Sequence, residues 1–306
     1  MTMRRLIAIA LLLIVGQSGP SHAADRVKVV ATFSVLGDMV ASIAGDKVAL
    51  TVIVGGDGDT ELYQPTAADA RALAGADLLV MNGLNPEFEP WLPGLIRQSG
   101  FKGVRLVASD GARTITEAEE DEHGDGKGAP RTDQHAWHDL GNGAVYARNI
   151  AEGLAKLDPA DAAFYRSRGE AYAGEIRALD AWAKQQVAEV PKAKRKVITS
   201  HDGFEYLAHA YGIRMIAARG WVNDKEPSAD DVARLMRQIR QDKVKAIFVE
   251  NMNDPRIIER IAGETRATIG GTLYSDALSK PGGEADTYLK MARHNIEALK
   301  AGMLKN

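Results

Sequence analysis

The chain has 306 residues, 45% hydrophobic and 26% charged, with a formal net charge of −3 and no cysteine. That is the composition of a water-soluble globular protein long enough for two packed lobes rather than one core, and it excludes a disordered or membrane-embedded chain. It also excludes disulfides, thiolate metal sites and thiol nucleophiles, and the mild negative charge gives no field that would gather nucleic acid or anionic lipid.

Arg4 and Arg5, the apolar run Leu6 to Val15 and the small-residue stretch Ser21-His22-Ala23 have the charge, length and ending of a cleaved secretory signal. The run is too short to span a bilayer as a helix. Residues 1–23 are therefore expected to be removed, leaving a product free in the periplasm, because no cysteine is available to carry a lipid.

From residue 24 the pattern alternates. Val27 to Phe33 reads as a strand, and Val35, Met39, Val40 and Ile43 fall at helical spacing behind it. Strands follow at Ala49 to Val54, Leu78 to Met81 and Val104 to Ala108, with helices at about Ala67 to Ala74 and Glu87 to Gln98. Alternating strands and helices imply an α/β lobe with a mostly parallel sheet, spanning 24–157. Within it, residues 116–133 crowd acidic side chains and glycines around His123 and read as an exposed acidic loop. Asp158-Pro159 then opens a stretch, 158–190, in which Tyr165, Tyr172, Ile176, Leu179, Trp182 and Val187 recur at helical steps with no proline until Pro191. One rigid helix of about 30 residues, about 45 Å long, would link two lobes and limit their relative motion.

The basic run Lys192 to Lys196 reads as a solvated turn at the start of the second lobe, 191–306. Strands are predicted at Val197 to Thr199, Arg214 to Ala217 and Ala246 to Val249. Helices are predicted at about Gly203 to Tyr211, Ala229 to Gln241 (Ser228 as N-cap), Pro255 to Glu264 and Ala285 to Gly302. The fold class is therefore two mostly parallel-sheet α/β lobes joined by one long helix.

Metal-capable side chains stand at the end of a predicted strand, or in the loop beyond it, at Glu61, His135, His201 and Asp276. Carboxyl ends of strands line the ligand crevice in open α/β sheets, so residues from both lobes can converge there. No H-E-x-x-H, G-x-S-x-G or P-loop signature occurs.

The segments Asp59-Thr60-Glu61-Leu62-Tyr63-Gln64-Pro65-Thr66, Gln134-His135-Ala136-Trp137-His138-Asp139, Thr199-Ser200-His201-Asp202-Gly203-Phe204, Glu226-Pro227-Ser228, Phe248-Val249-Glu250-Asn251 and Tyr274-Ser275-Asp276-Ala277-Leu278-Ser279 resemble, in this order, the metal-binding solute receptors of ABC importers. That family includes bacterial zinc and manganese receptors. The resemblance implies that His135, His201 and Asp276 bind the metal, with Glu61 where a histidine usually stands. It implies zinc as cargo, with manganese(II) or iron(II) as the alternative because two carboxylates make the set oxygen-rich. It further implies an ABC permease with its ATPase as partners and a metallochaperone as a candidate loader; a monomer is expected, and the net charge predicts no nucleic-acid partner. Four protein ligands leave no position for an activated water, so a transport site is expected rather than an enzyme. A metal hydrolase with Asp202 or Glu250 as base, or a surface adhesin, are the rival readings. His138 is expected at the surface or beside the ligands, His209 and His294 on helix surfaces, and Trp137 and Trp221 as packing or as a shield for the metal.

Overall fold

Strand-forming runs of Val, Ile and Leu build the first sheet in a computed structural model, which describes residues 26–117, 131–199, 202–217, 229–252, 255–265 and 267–306. The expected signal, His123, His201, Trp221 and Ser228 lie outside the described residues.

In chain order, β1 (Val27–Phe33), α1 (Ser34–Ala44), β2 (Val48–Val54), α2 (Ala67–Ala74), β3 (Leu78–Met81), α3 (Leu92–Ser99) and β4 (Val104–Val107) form the first half. Their sheet is parallel throughout, with order β2-β1-β3-β4. Two short strands, β5 (Thr116–Glu117) and β6 (Arg131–Thr132), pair antiparallel and close the base of the acidic loop, whose interior is not among the described residues.

Two helices follow, α4 (Leu140–Leu157) and α5 (Ala162–Ala188). The second half comprises β7 (Lys196–Thr199), α6 (Glu205–Tyr211), β8 (Arg214–Ala217), α7 (Ala229–Asp242), β9 (Ala246–Glu250), α8 (Pro255–Thr265), β10 (Thr268–Leu273) and α9 (Tyr288–Leu304). Its sheet, also parallel, runs β10-β9-β7-β8. Read from the other edge this is the connectivity of the first sheet. In each, the chain reverses direction across the sheet between its first and third strands, the crevice where ligands sit in open α/β sheets.

The long helix begins four residues later than its sequence pattern suggests. Asp158 caps α4, its N–H donating to the Leu154 carbonyl, and Asp158 to Asp161 turn the chain back. At 27 residues α5 is about 40 Å long. It packs on α1 and α4 and on α6 and α9, and one apolar core runs from Val29 through Ile176 to Met303. A hinge would have to open that shared core, so the lobes are held as one packed unit. A smaller core, from Ile198 and Val232 to Ile261, lies under α7 and α8.

Helix α4 was absent from the sequence expectation because Gly141, Asn142, Gly143 and Gly153 weaken its propensity. The glycines are there for close approach. A Cβ on Gly143 would collide with the Tyr288 hydroxyl and one on Gly153 would lie 2.8 Å from Leu106. Strand β10 escaped notice for a similar reason, since Gly270 and Gly271 interrupt it at a register shift between Ile269 and Thr272. Helix α3 starts at Leu92 rather than near Glu87, because the segment before it is turned by Asn85 and Pro90. Among the described residues no helix is long and apolar enough to cross a membrane.

Candidate metal centre

Glu61 lies on the loop between β2 and α2, and the loop is built by its own acidic residues. Asp59 Oδ1 accepts the N–H groups of Glu61 at 2.9 Å and Leu62 at 3.0 Å, a local Asx turn. Trp91 Nε1 donates to the Thr60 carbonyl at 2.8 Å, and Thr66 with Asp69 forms a capping box at the start of α2. The root of the loop is tied to the opposite lobe. Asp57 donates its N–H to the Leu278 carbonyl at 2.8 Å and accepts from Asn251 Nδ2 at 3.0 Å. Gly56 is needed at this crossing, because a Cβ there would strike the Ser279 carbonyl.

His135 precedes a single 3₁₀ turn, Ala136–His138, ahead of α4. Asp133 Oδ1 accepts from its backbone N–H at 2.8 Å and faces its Nδ1 at 2.7 Å. Burial pushes the Asp133 carboxyl up, but the charge of His135 and hydrogen bonds from its ring and backbone outweigh that and hold the group below its ordinary value. An ionised Asp133 only accepts, so Nδ1 carries the hydrogen and Nε2 is the nitrogen turned to the cleft. There Nε2 lies 3.3 Å from Asp276 Oδ1.

Asp276 is fully buried just beyond β10. Its segment is fixed on both sides. Asn295 of α9 bonds both the N–H and the carbonyl of Tyr274, at 2.9 and 2.7 Å. Trp137 Nε1 and His138 Nε2 each meet the Ser275 carbonyl at 3.1 Å.

Glu61, His135 and Asp276 thus come together. Each offers a ligand atom within 4.8 Å of the others, and they form a cluster drawn from both lobes. One imidazole nitrogen and two carboxylates suit a borderline to hard divalent cation. Position 201, expected to be the fourth ligand, is outside the described residues.

His138 is buried, which rules out the surface half of its expectation. A carbonyl can only accept, so His138 Nε2 carries the hydrogen, and burial first, then the neighbouring His135, pull its pKa down to about 3. It is a neutral prop under the Asp276 segment. Trp137 is also fully buried, its ring 5.5 Å from that of His135. Glu250 is buried at the end of β9, Asp202 and His209 are exposed, and His294 is half-buried with Nε2 2.9 Å from the Thr272 carbonyl.

Sequence reasoning missed the polar support behind the cluster. Gln134 Nε2 donates to Glu61 Oε1 at 2.7 Å, and Asn82 Nδ2 to the Gln134 carbonyl at 2.9 Å. Deeper still, Glu89 accepts the Asn82 N–H at 3.2 Å, and its pKa is raised by burial against the hydrogen bonds of Thr32, Asn82 and Gly83. A carboxyl whose folded pKa exceeds its unfolded one favours folding below the unfolded value and loses that advantage as pH rises toward the folded one. Glu89→Gln is therefore expected to flatten the decline in urea-unfolding free energy from pH 4.5 upward; an unchanged slope would show that Glu89 ionises freely.

The family model "Zinc-uptake complex component A periplasmic" matches residues 29–302. The manganese ABC transporter substrate-binding lipoprotein PsaA of Streptococcus pneumoniae is 32% identical over 294 residues, 95% of this chain and 93% of that protein. The metal ABC transporter substrate-binding lipoprotein SsaB of Streptococcus sanguinis is 31% identical over 293 residues, 94% of this chain and 93% of its own. Among solved structures, the periplasmic zinc-binding protein TroA of Treponema pallidum superposes with a TM-score of 0.81 at 28% identity, covering 91% of this chain and 99% of that one. A manganese-bound periplasmic metal-binding protein of Candidatus Liberibacter asiaticus does so at 0.78 and 32%, covering 91% and 99%. Two parallel-sheet lobes of like connectivity on one long helix, and a family match running from β1 into α9, make this chain a member of the ZnuA family of solute-binding components of ABC importers.

Proposed function

We propose that the protein captures one divalent transition metal between its lobes through Glu61, His135 and Asp276, with His201 as fourth ligand, and delivers it to an ABC permease with its ATPase. The observation that carries this reading is the convergence of the three donors from separate loops of both lobes, two of them buried. Zinc is the preferred cargo, since two imidazoles and two carboxylates close a tetrahedral shell without a water. Manganese or iron(II) is the second reading, favoured by the oxygen-rich donor pair Glu61 and Asp276 and by relatives named for manganese. The closed shell leaves a hydrolytic role without its activated water.

Removal of residues 1–23 would release the mature chain, 24–157 and 191–306 joined through 158–190, as a periplasmic monomer that a metallochaperone could load. The relatives are lipoproteins by name, whereas this sequence holds no cysteine for a thioether-linked lipid. Release by osmotic shock, rather than retention with membranes, is the corresponding expectation.

The test is elemental analysis of the protein purified from the periplasm, beside Glu61→His and His201→Ala. One equivalent of zinc, lost in His201→Ala, supports the reading. Manganese or iron in the wild type with zinc in Glu61→His favours the second, and absence of bound metal in all three refutes both.

A further inference from the structure

Glu61 is the half-exposed member of the cluster and the one borne on a loop, so the direction of its carboxylate has to be set by a neighbour. Gln134, itself buried, donates from Nε2 to Glu61 Oε1 at 2.7 Å. The amide cannot turn round. Its oxygen accepts from Asn85 Nδ2 at 3.0 Å, and Asn85 in turn is oriented because its own Oδ1 accepts the Glu87 N–H at 3.0 Å. The backbone of Gln134 is held as well, its carbonyl accepting from Asn82 Nδ2 at 2.9 Å, while Asn82 Oδ1 accepts the Tyr146 hydroxyl at 2.7 Å. Burial keeps that phenol far above its usual pKa and therefore a donor. An ordered relay thus runs from the Glu87 backbone N–H through Asn85 and Gln134 to the proposed metal ligand Glu61.

We propose that Gln134 is a specificity-determining positioning residue: by holding Oε1 it fixes the plane of the Glu61 carboxylate so that Glu61 gives the metal one oxygen. Single-oxygen donation keeps the coordination number low, as zinc prefers. Manganese takes more oxygen ligands and gains from a carboxylate free to turn and give both. The inference rests on the metal-capture reading above and adds to it which residue makes the site discriminate.

The experiment is a pair of titrations, zinc alone and manganese alone against a chromophoric chelator, on the full mature chain of wild type, Gln134→Ala, Glu61→Ala and the double variant. Loss of an outer hydrogen-bond partner weakens metal sites by roughly 10- to 100-fold, and that loss is expected for zinc in Gln134→Ala. Manganese affinity is expected to hold within about threefold, so the zinc-to-manganese ratio falls about tenfold or more. In the Glu61→Ala background the same substitution changes zinc affinity by less than about twofold, because coupled residues lose their effect together. The visible absorption of bound cobalt(II), intense in four-coordinate and weak in six-coordinate sites, is expected to weaken in Gln134→Ala. Equal losses for both metals, or a zinc loss that persists without Glu61, would overturn the proposal and leave Gln134 a structural residue. If Gln134→Ala does not fold, Gln134→Met keeps the volume, removes the amide and is held to the same outcomes. Should the wild type bind neither metal, or bind it independently of His135 and Asp276, the capture reading itself fails and takes this inference with it.

Discussion

Asp276→Asn is expected to weaken zinc binding by roughly 100-fold while leaving the apo fold intact. Four-ligand zinc sites bind with about 10–16 kcal/mol of apparent free energy, so one ligand of four accounts for about 3 kcal/mol, roughly 100-fold in Kd. Asparagine keeps the shape of the buried side chain and removes its charge, so the segment held by Asn295, Trp137 and His138 should stay in place. Thermal unfolding reads the loss directly. Zinc at about 100 times the wild-type Kd stabilises by about 2.7 kcal/mol, about 5–10 °C for a chain of this size. The same concentration only half-saturates the variant and raises its midpoint by about 1 °C. An equal shift in both proteins would remove Asp276 from the ligand set.

The second large effect is on pH. His135 sits between two carboxylates, Asp133 at Nδ1 and Asp276 at Nε2, and a proton on Nε2 competes with the metal for the same lone pair. Zinc affinity is therefore expected to fall by roughly 10- to 100-fold between pH 7.5 and 5.5 as His135 and His201 take up protons. His138 does not share in this, because its pKa near 3 keeps it neutral over the range. It contributes to stability instead. A histidine with a depressed folded pKa favours folding above its unfolded value and loses that advantage as pH falls, by about 1.4 kcal/mol per pH unit below about 6.5. Circular dichroism at each pH separates the two effects. Affinity that is flat from pH 8 to 5 in a folded protein would contradict histidine ligation.

The parts of the structure that were legible in the sequence are those set by local chemistry. Strands such as Val27–Phe33 and Leu78–Met81 announce themselves by apolar, β-branched runs, and α2 was expected where it lies, at Ala67–Ala74. Glu61, His135 and Asp276 could be named because each follows a recognisable strand or motif. Features that depend on a distant partner stayed hidden. The glycines of α4 look like helix breakers until Tyr288 and Leu106 are seen pressing against them. Thr287, whose side chain caps α9 by accepting the Lys290 N–H, is one hydroxyl among many in sequence. Gln134 stood within a quoted motif, but its role depends on the orientation of Asn85 and on a loop 73 residues away. The burial of His138 turns on the direction of one 3₁₀ turn against the Asp276 segment.

Capture of one metal between the lobes on these side chains is read out by anomalous diffraction at the zinc absorption edge, from crystals of the mature protein grown with one equivalent of zinc. A single strong peak bounded by Glu61, His135 and Asp276, with His201 closing the fourth side, is expected. A peak elsewhere on the surface, or none between the lobes at full zinc occupancy in solution, would contradict it.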